Sequence, residues 1–385
     1  MKADLLWDIS SKLVGFNTVS CNDNQQCSSL IANFLKDLGF QVSLEQTNEK
    51  GIIKEQVIAC IGPKVKGGLI LSGHMDTVPF ENQPGWERDA LKLELSEDKV
   101  FGRGSCDMKL FIAHCLLAFK NLDLTKLKKP IVCFFTNDEE IGCHGAKRIA
   151  DKIKDFIDDY PLPEYALIGE PTSFQIINTH KGLVHSEIVI EGKGGHSSRP
   201  DLGQNTISPL GKIITIIDEI NHEYEQNIDS TLFKLFPDFP RDYIHMAMVN
   251  AGLAGNMIPE KCRLTITYRT FPGQDPFAPL DKLKERITHA GIQKLHFENT
   301  MQVPASPLAS HTEFEKVLKE ITSKEEMQSV SFATDAGYFS QLGINCYICG
   351  PGEIAMAHKP NEYMPVADYI AGVEFVEKIL RKTVL

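Results

Sequence analysis

The chain has 385 residues, with 40 Lys and Arg against 51 Asp and Glu and a formal charge of −11. Apolar residues make up 42% and charged residues 24%, the balance of a soluble globular protein with core material for two domains. The acidity speaks against nucleic acid or an anionic membrane as partner, and no apolar run reaches the ~20 residues that cross a bilayer. The opening MKADLLWDISSKLVGF has Asp4 and Asp8 inside it, so no signal peptide is expected and the location is expected to be cytoplasmic.

DLLWDISSKLVGF and SSLIANFLKDLGF carry apolar residues at helical spacing, and Gly15 and Gly39 mark their ends. QVIACIG and GLILSGH are short β-rich runs. The long stretch MKLFIAHCLLAFKNL reads as a helix, and PIVCFFT and EYALIGE are β-rich again. This alternation belongs to an α/β sheet covered on both faces.

Near residue 180 the pattern changes. HSEIVIEGKG alternates like a half-exposed strand, with Ser186, Glu187 and Glu191 interleaved among apolar residues. The helical ISPLGKIITIIDEINHEY follows, then the strands IHMAMVNAG and CRLTITYRTF, a helix over 277–290 and the strand KLHFENTMQV. Strand-helix-strand-strand-helix-strand is a complete small α+β (βαββαβ) sandwich. After Pro304 the α/β style returns and ends in a helix over 366–382. The simplest organisation is a first domain over 1–179, resumed over 304–385, interrupted by a second over 180–303.

Ten cysteines in a chain of this size are expected to be free thiols, small hydrophobes buried in runs such as QVIACIG and PIVCFFT. Cys346 and Cys349 spell C-x-x-C, but NCYICG reads as a strand, and one such pair is weak evidence for zinc or redox chemistry.

Polar residues cluster where β-rich runs end, the place where open α/β sheets carry their sites. LILSGHMDTVPF delivers His74, with Asp76 two residues on. FGRGSCDMKLF has Asp107 where the long helix begins, a position that also suits a helix N-cap. CFFTNDEEIG ends in Asp138, Glu139 and Glu140, successive acids that repel one another unless solvated or neutralised by a cation. LIGEPTS ends on Glu170, and CGPGEIAMAHKPNEY places His358 in a Gly- and Pro-rich loop. Two imidazoles and several carboxylates suit a pair of borderline cations with one carboxylate shared, and a spare carboxylate beside them suits a general base.

SGHMDTVP, GRGSCDMK, TNDEEIG, GEPT and GPG…AHKPNEY, in this order, resemble the di-zinc aminoacylase and glutamate-carboxypeptidase-like metallohydrolases over nearly the whole chain. The resemblance implies a mixed-sheet α/β catalytic domain with the insertion as a lid and dimerisation domain, hence a homodimer. It implies that His74 and Glu170 bind one Zn2+, that Glu140 and His358 bind another, and that Asp107 bridges them. Co2+ and Mn2+ suit the same ligands. Asp76 would orient His74, Glu139 would be the general base, and the Asp107–Met108 peptide would be cis. In the insertion, His196 of GKGGHSSRP would stabilise an oxyanion, while Asn256 of AGNMIPE and Arg269 of TYRTFPG would bind substrate. Thr334 of ATDAGYF would face it too. The implied activity is removal of an acyl group from a small N-acyl amino acid. N2-acetylornithine is the expected substrate, as in arginine biosynthesis, and a succinylated diaminopimelate the alternative. One departure stands out: the arginine stretch reads Arg269-Thr270-Phe271-Pro272-Gly273, without the proline that usually follows the arginine.

Overall fold

Three uninterrupted β-rich runs, Leu69–His74, Ile131–Thr136 and Tyr165–Ile168, form the centre of the larger sheet, and every residue in them is buried. Parallel strands covered on both faces have no polar side, which is why these runs do not alternate. The computed structural model describes residues 2–309 and 312–385. By packing, the chain divides into two units, one made of Met1–Thr179, Leu308–Gln328 and Thr334–Leu385, the other of His180–Pro307 and Ser329–Ala333.

The larger sheet runs Gln41–Glu49, Ile52–Ile61, Ile131–Thr136, Leu69–His74, Tyr165–Ile168, Asn345–Ile348, Ile177–His180, Gln328–Val330. Its centre is parallel and its flanks are antiparallel, so the fold is α/β on a mixed sheet. Leu69 pairs with Ile131 and Tyr165, and His74 with Thr136. The parallel strands therefore stop nearly level and deliver their following residues to one edge. The sequence pattern passes over Gln41–Glu49, because QVSLEQTNE is mostly polar and the strand, at the edge of the sheet, buries little.

Helix Lys109–Asn121 is buried at every position from Lys109 to Phe119, as an almost wholly apolar helix must be. It approaches the sheet over Gly169, where a Cβ would lie 2.1 Å from the Phe111 ring. Helix Gln25–Asp37 ends as its sequence suggests: Gly39 takes φ +89° while its N–H donates to Lys36 O and that of Phe40 to Leu35 O, a Schellman cap. The Asp107–Met108 peptide is cis. All ten cysteines are free, and all but Cys21 are buried.

The second unit carries a four-stranded antiparallel sheet in the order His245–Ala251, Lys261–Thr270, Gly182–Glu191, Leu295–Val303. Helices Ile207–Gln226 and Ala278–His289 cover it through Ile213, Ile217, Ile220, Leu283 and Ile287, packed on Ile188, Leu264 and Ile266. Strand Gly182–Glu191 alternates from Gly182 to Ile188, with Ser186 on the buried face, where its hydroxyl pairs with Thr300 Oγ1 at 2.7 Å, and the alternation breaks at Val189, which is buried too. Ser329–Ala333 joins this unit through Lys181 N–H, which donates to Val330 O at 3.1 Å, and Ser329 Oγ, which donates to Leu235 O.

Candidate metal centre

His74 is the last residue of its strand and Glu170 follows the neighbouring one by two residues, so the sheet itself brings them together. Asp107 is 5% exposed and does not cap the helix that follows. Its Oδ1 lies 3.0 Å from His74 Nε2 and its Oδ2 lies 3.3 Å from His358 Nε2. His358 Nε2 is also 2.9 Å from Glu140 Oε2. Two sets of donor atoms result, His74–Asp107–Glu170 and Asp107–Glu140–His358, each with its atoms within 4.8 Å of one another and Asp107 common to both.

The three successive acids separate. Asp138, at φ +56°, turns to Lys54 Nζ at 2.7 Å and to Arg148 Nη2 at 3.8 Å. Glu140 turns to His358. Glu139 Oε1 accepts from Cys143 Sγ at 3.4 Å, and Glu139, Cys143 and Asp335 form a third set of close donor atoms. Asp76 anchors this loop: its carboxylate accepts the main-chain N–H groups of Glu139 at 3.1 Å and Glu140 at 3.2 Å, and Ser20 Oγ at 2.7 Å. Its contact with His74 is made mainly by its carbonyl, 2.9 Å from Nδ1, while its carboxylate stands 3.7 Å away.

That carbonyl settles the chemistry of His74. A carbonyl only accepts, so Nδ1 carries the hydrogen, and the lone pair of Nε2 faces an Asp107 oxygen. Two acceptors 3.0 Å apart need a cation between them, either a proton or a metal ion. The charges give the same demand. Burial lowers the His74 imidazole's pKa, but Asp107, with Glu139 and Glu170, outweighs it and raises it well above its ordinary value. Contacts with Asp107 and Glu140 raise His358 to about 10. Burial would raise Asp107, yet hydrogen bonds from His358 and His74 hold it well below the usual carboxylate range. Burial pushes Glu139 and Glu170 well above that range, with neighbouring carboxylates adding to it. A nitrogen- and oxygen-donor pocket with surplus anionic charge fits divalent zinc, cobalt or manganese.

Of the other expected residues, Thr334 precedes Asp335 in the chain and the rest belong to the second unit. His196, in the second unit, is exposed; its Nδ1 accepts from Ser198 N–H at 3.1 Å and lies 2.7 Å from Ser198 Oγ, which leaves Nε2–H as its outward donor. Asn256 is exposed in the turn before Met257, and its carbonyl accepts from Ser197 N–H at 3.0 Å. Arg269 is exposed near the end of strand Lys261–Thr270, opposite Leu183. Thr334, in the first unit, is buried, its hydroxyl accepting from Ala336 N–H at 3.1 Å. Sequence reasoning missed Asp335, Cys143 and the buried pair Arg103–Glu362. GRG and NEY display two of these residues, but only the fold shows that Arg103 is buried and which carboxylate it meets.

The chain matches Peptidase family M20/M25/M40 over residues 70–382. An acetylornithine deacetylase of Proteus mirabilis is 29% identical over 375 residues, 94% of this chain and 92% of that protein. The M20 family metallo-carboxypeptidase Sso-CP2 from Sulfolobus solfataricus has a similar fold, with a TM-score of 0.75 at 20% identity over 99% of this chain and 98% of that one. So does the YXEP protein of Bacillus subtilis, a dinuclear metal-binding peptidase from the M20 family, with a TM-score of 0.62 at 16% identity over 99% of this chain and 98% of that one.

Proposed function

Since this chain belongs to Peptidase family M20/M25/M40 and is a metallohydrolase of that family, we propose that it removes the acetyl group from N2-acetyl-L-ornithine, giving L-ornithine and acetate. The observation that carries the metal reading is Asp107, whose two oxygens each face a different imidazole. The substrate reading is supported by the Proteus mirabilis relative and by the stretches GPGEIAMAHKPNEY and YRTFPG, which resemble acetylornithine deacetylases more than desuccinylases.

His74 and Glu170 would hold one cation, Glu140 and His358 the other, with Asp107 shared and Zn2+ the ion expected. When bound, the two ions supply the Lewis acidity that polarises the acyl carbonyl and makes water a nucleophile near neutral pH. Glu139 Oε takes the proton of the attacking water and returns it to the departing amine. Cys143 Sγ and the Asp76-anchored main chain hold that carboxylate in place. His196, through Nε2–H, donates to the developing oxyanion. Arg269 faces the substrate carboxylate, and Asn256 and Thr334 complete the substrate contacts. The second unit is assigned as lid and dimerisation domain. Its edge strand His245–Ala251 supports a homodimer, because Met248 is 58% and Val249 50% exposed there.

The deciding assay is kcat/KM on N2-acetyl-L-ornithine, N-succinyl-diaminopimelate and a panel of N-acetyl amino acids, after loading metal-free protein with Zn2+, Co2+ or Mn2+. Acetylornithine should lead the panel. A lead for the succinylated compound would transfer the substrate assignment to it and leave the metal reading standing.

A further inference from the structure

The buried pair Arg103–Glu362 stands behind the metal centre, with each residue 1% exposed. Arg103 Nη1 donates to Glu362 Oε2 at 2.8 Å. Glu362 Oε1 accepts two main-chain N–H groups, from Cys106 at 2.8 Å and from Asp107 at 3.0 Å. Two N–H groups on one oxygen fix the peptide planes on both sides of Cys106, and so the direction in which the Asp107 side chain leaves the backbone.

The other side of the guanidinium reaches the opposite end of the centre. Arg103 Nη2 donates to Gln83 Oε1 at 2.7 Å, and Trp86 Nε1 donates to the same oxygen at 3.0 Å. Gln83 Nε2 then donates to the main-chain carbonyl of His358 at 2.7 Å. His358 sits at φ +62° with its side chain 55% exposed, so packing alone does little to hold it. One connected path thus joins Asp107, common to both donor sets, to His358, the most exposed residue of either set. A buried ion pair is a poor stabiliser in itself, since apolar side chains of the same volume often serve as well. Its bond to Asp107, and its link through Gln83 to His358, give it a purpose.

We propose that Arg103, Glu362 and Gln83 are positioning residues that set cation affinity, Gln83 acting on the Asp107–Glu140–His358 set alone and Glu362 acting on both sets through Asp107. The inference rests on the two-cation reading of the centre. Outer partners of metal ligands typically change affinity by about 10- to 100-fold.

The test uses Gln83→Glu, which is isosteric and keeps an acceptor for Arg103 and Trp86, but sets a charged acceptor against the His358 carbonyl in place of the amide donor. Metal-free wild type and variant are titrated with CoCl2, followed by calorimetry and by the visible Co2+ absorption bands. Wild type should take up two equivalents in two steps. In Q83E one step should stay within about twofold of wild type while the other weakens about tenfold or more, with the bands of that equivalent alone altered. Glu362→Gln should weaken both steps; if circular dichroism shows that variant unfolded, Q83E decides alone. Unchanged steps in Q83E, or equal weakening of both, overturn the proposal and leave the two-cation reading standing. A wild type that takes up fewer than two equivalents overturns that reading, and the proposal with it.

Discussion

Asp138, Glu139 and Glu140 are adjacent in the chain and meet three different neighbours, so substitutions there should fail in different ways. Asp138 and Lys54 are a buried pair, 4% and 8% exposed, and Asp138→Ala strands a buried ammonium. Its cost should be about 3–5 kcal/mol, read as a fall in urea midpoint. Glu139→Ala should leave stability and metal content near wild type while kcat falls by a factor of about 10² to 10⁴. Loss of a metal equivalent in that variant would mean that Glu139 is a ligand and not the base. The family resemblance separates Glu139 from Glu140, but nothing in TNDEEIG pairs Asp138 with Lys54, because the two are 84 residues apart and only the pairing of strands Ile52–Ile61 and Ile131–Thr136 brings them together. His114 offers a test of a different kind. Burial lowers its pKa from the ordinary 6.5 to about 3, so the folded protein refuses a proton that the unfolded chain accepts. Its contribution is unaffected above pH 6.5 and declines as pH falls between about 6.5 and 3, by about 1.4 kcal/mol per pH unit. Urea melts of metal-free wild type and His114→Leu at pH 7, 6 and 5 should show a shallower decline in the variant.

At the scale of elements, the helix Lys109–Asn121 begins two residues after Asp107, so its seat on the sheet positions the shared carboxylate. Gly169 makes that seat possible: an added Cβ would come 2.1 Å from the Phe111 ring, which is itself 1% exposed and has no room to withdraw. Gly169→Ala should therefore cost about 1–3 kcal/mol or more and weaken cation binding as well, measured by thermal melting and by CoCl2 titration. Gly39→Ala, at φ +89° with nothing crowding a Cβ, should cost only about 1 kcal/mol and leave binding unchanged. Elements were legible in the sequence where burial is one-sided or complete, as in LILSGH and IVCFFT. They were not legible where an edge strand is mostly polar, as in Gln41–Glu49, or where three residues pair with a distant segment, as Lys99–Phe101 does with Tyr363–Pro365.

For the molecule as a whole, His74, Asp107, Glu140, Glu170 and His358 all belong to the first unit, so bound cations should stabilise that unit directly. A ligand held at 100 times its Kd adds about 2.7 kcal/mol. Chelation should accordingly lower the melting temperature, and hydrogen exchange should quicken in peptides around His74, Asp107, Glu140 and Glu170. Peptides from the sheet of the second unit should exchange at an unchanged rate. An equal quickening in both units would show that the cations stabilise more than the unit holding their ligands. Among the described residues no helix is long and apolar enough to cross a membrane. The surplus of acids noted at the outset is in part concentrated at this one site.

Periodicity and the polar residues after the β-rich runs determined an α/β class, the second unit's order of strands and helices, and the segments that converge on one edge, while the mixed sheet followed from the family resemblance. These are local properties: a buried parallel strand must be apolar throughout, and the residues after it emerge at the edge where it ends. Which acid faces a lysine, and that Asp76 meets His74 chiefly through its carbonyl, were decided only by tertiary structure. So was the bond from Glu362, 255 residues away, to the N–H of Asp107. The Asp76 carboxylate is drawn off by distant Ser20, Glu139 and Glu140, the others are themselves bonds between segments far apart in the chain, and a single sequence carries no record of which distant group will complete them.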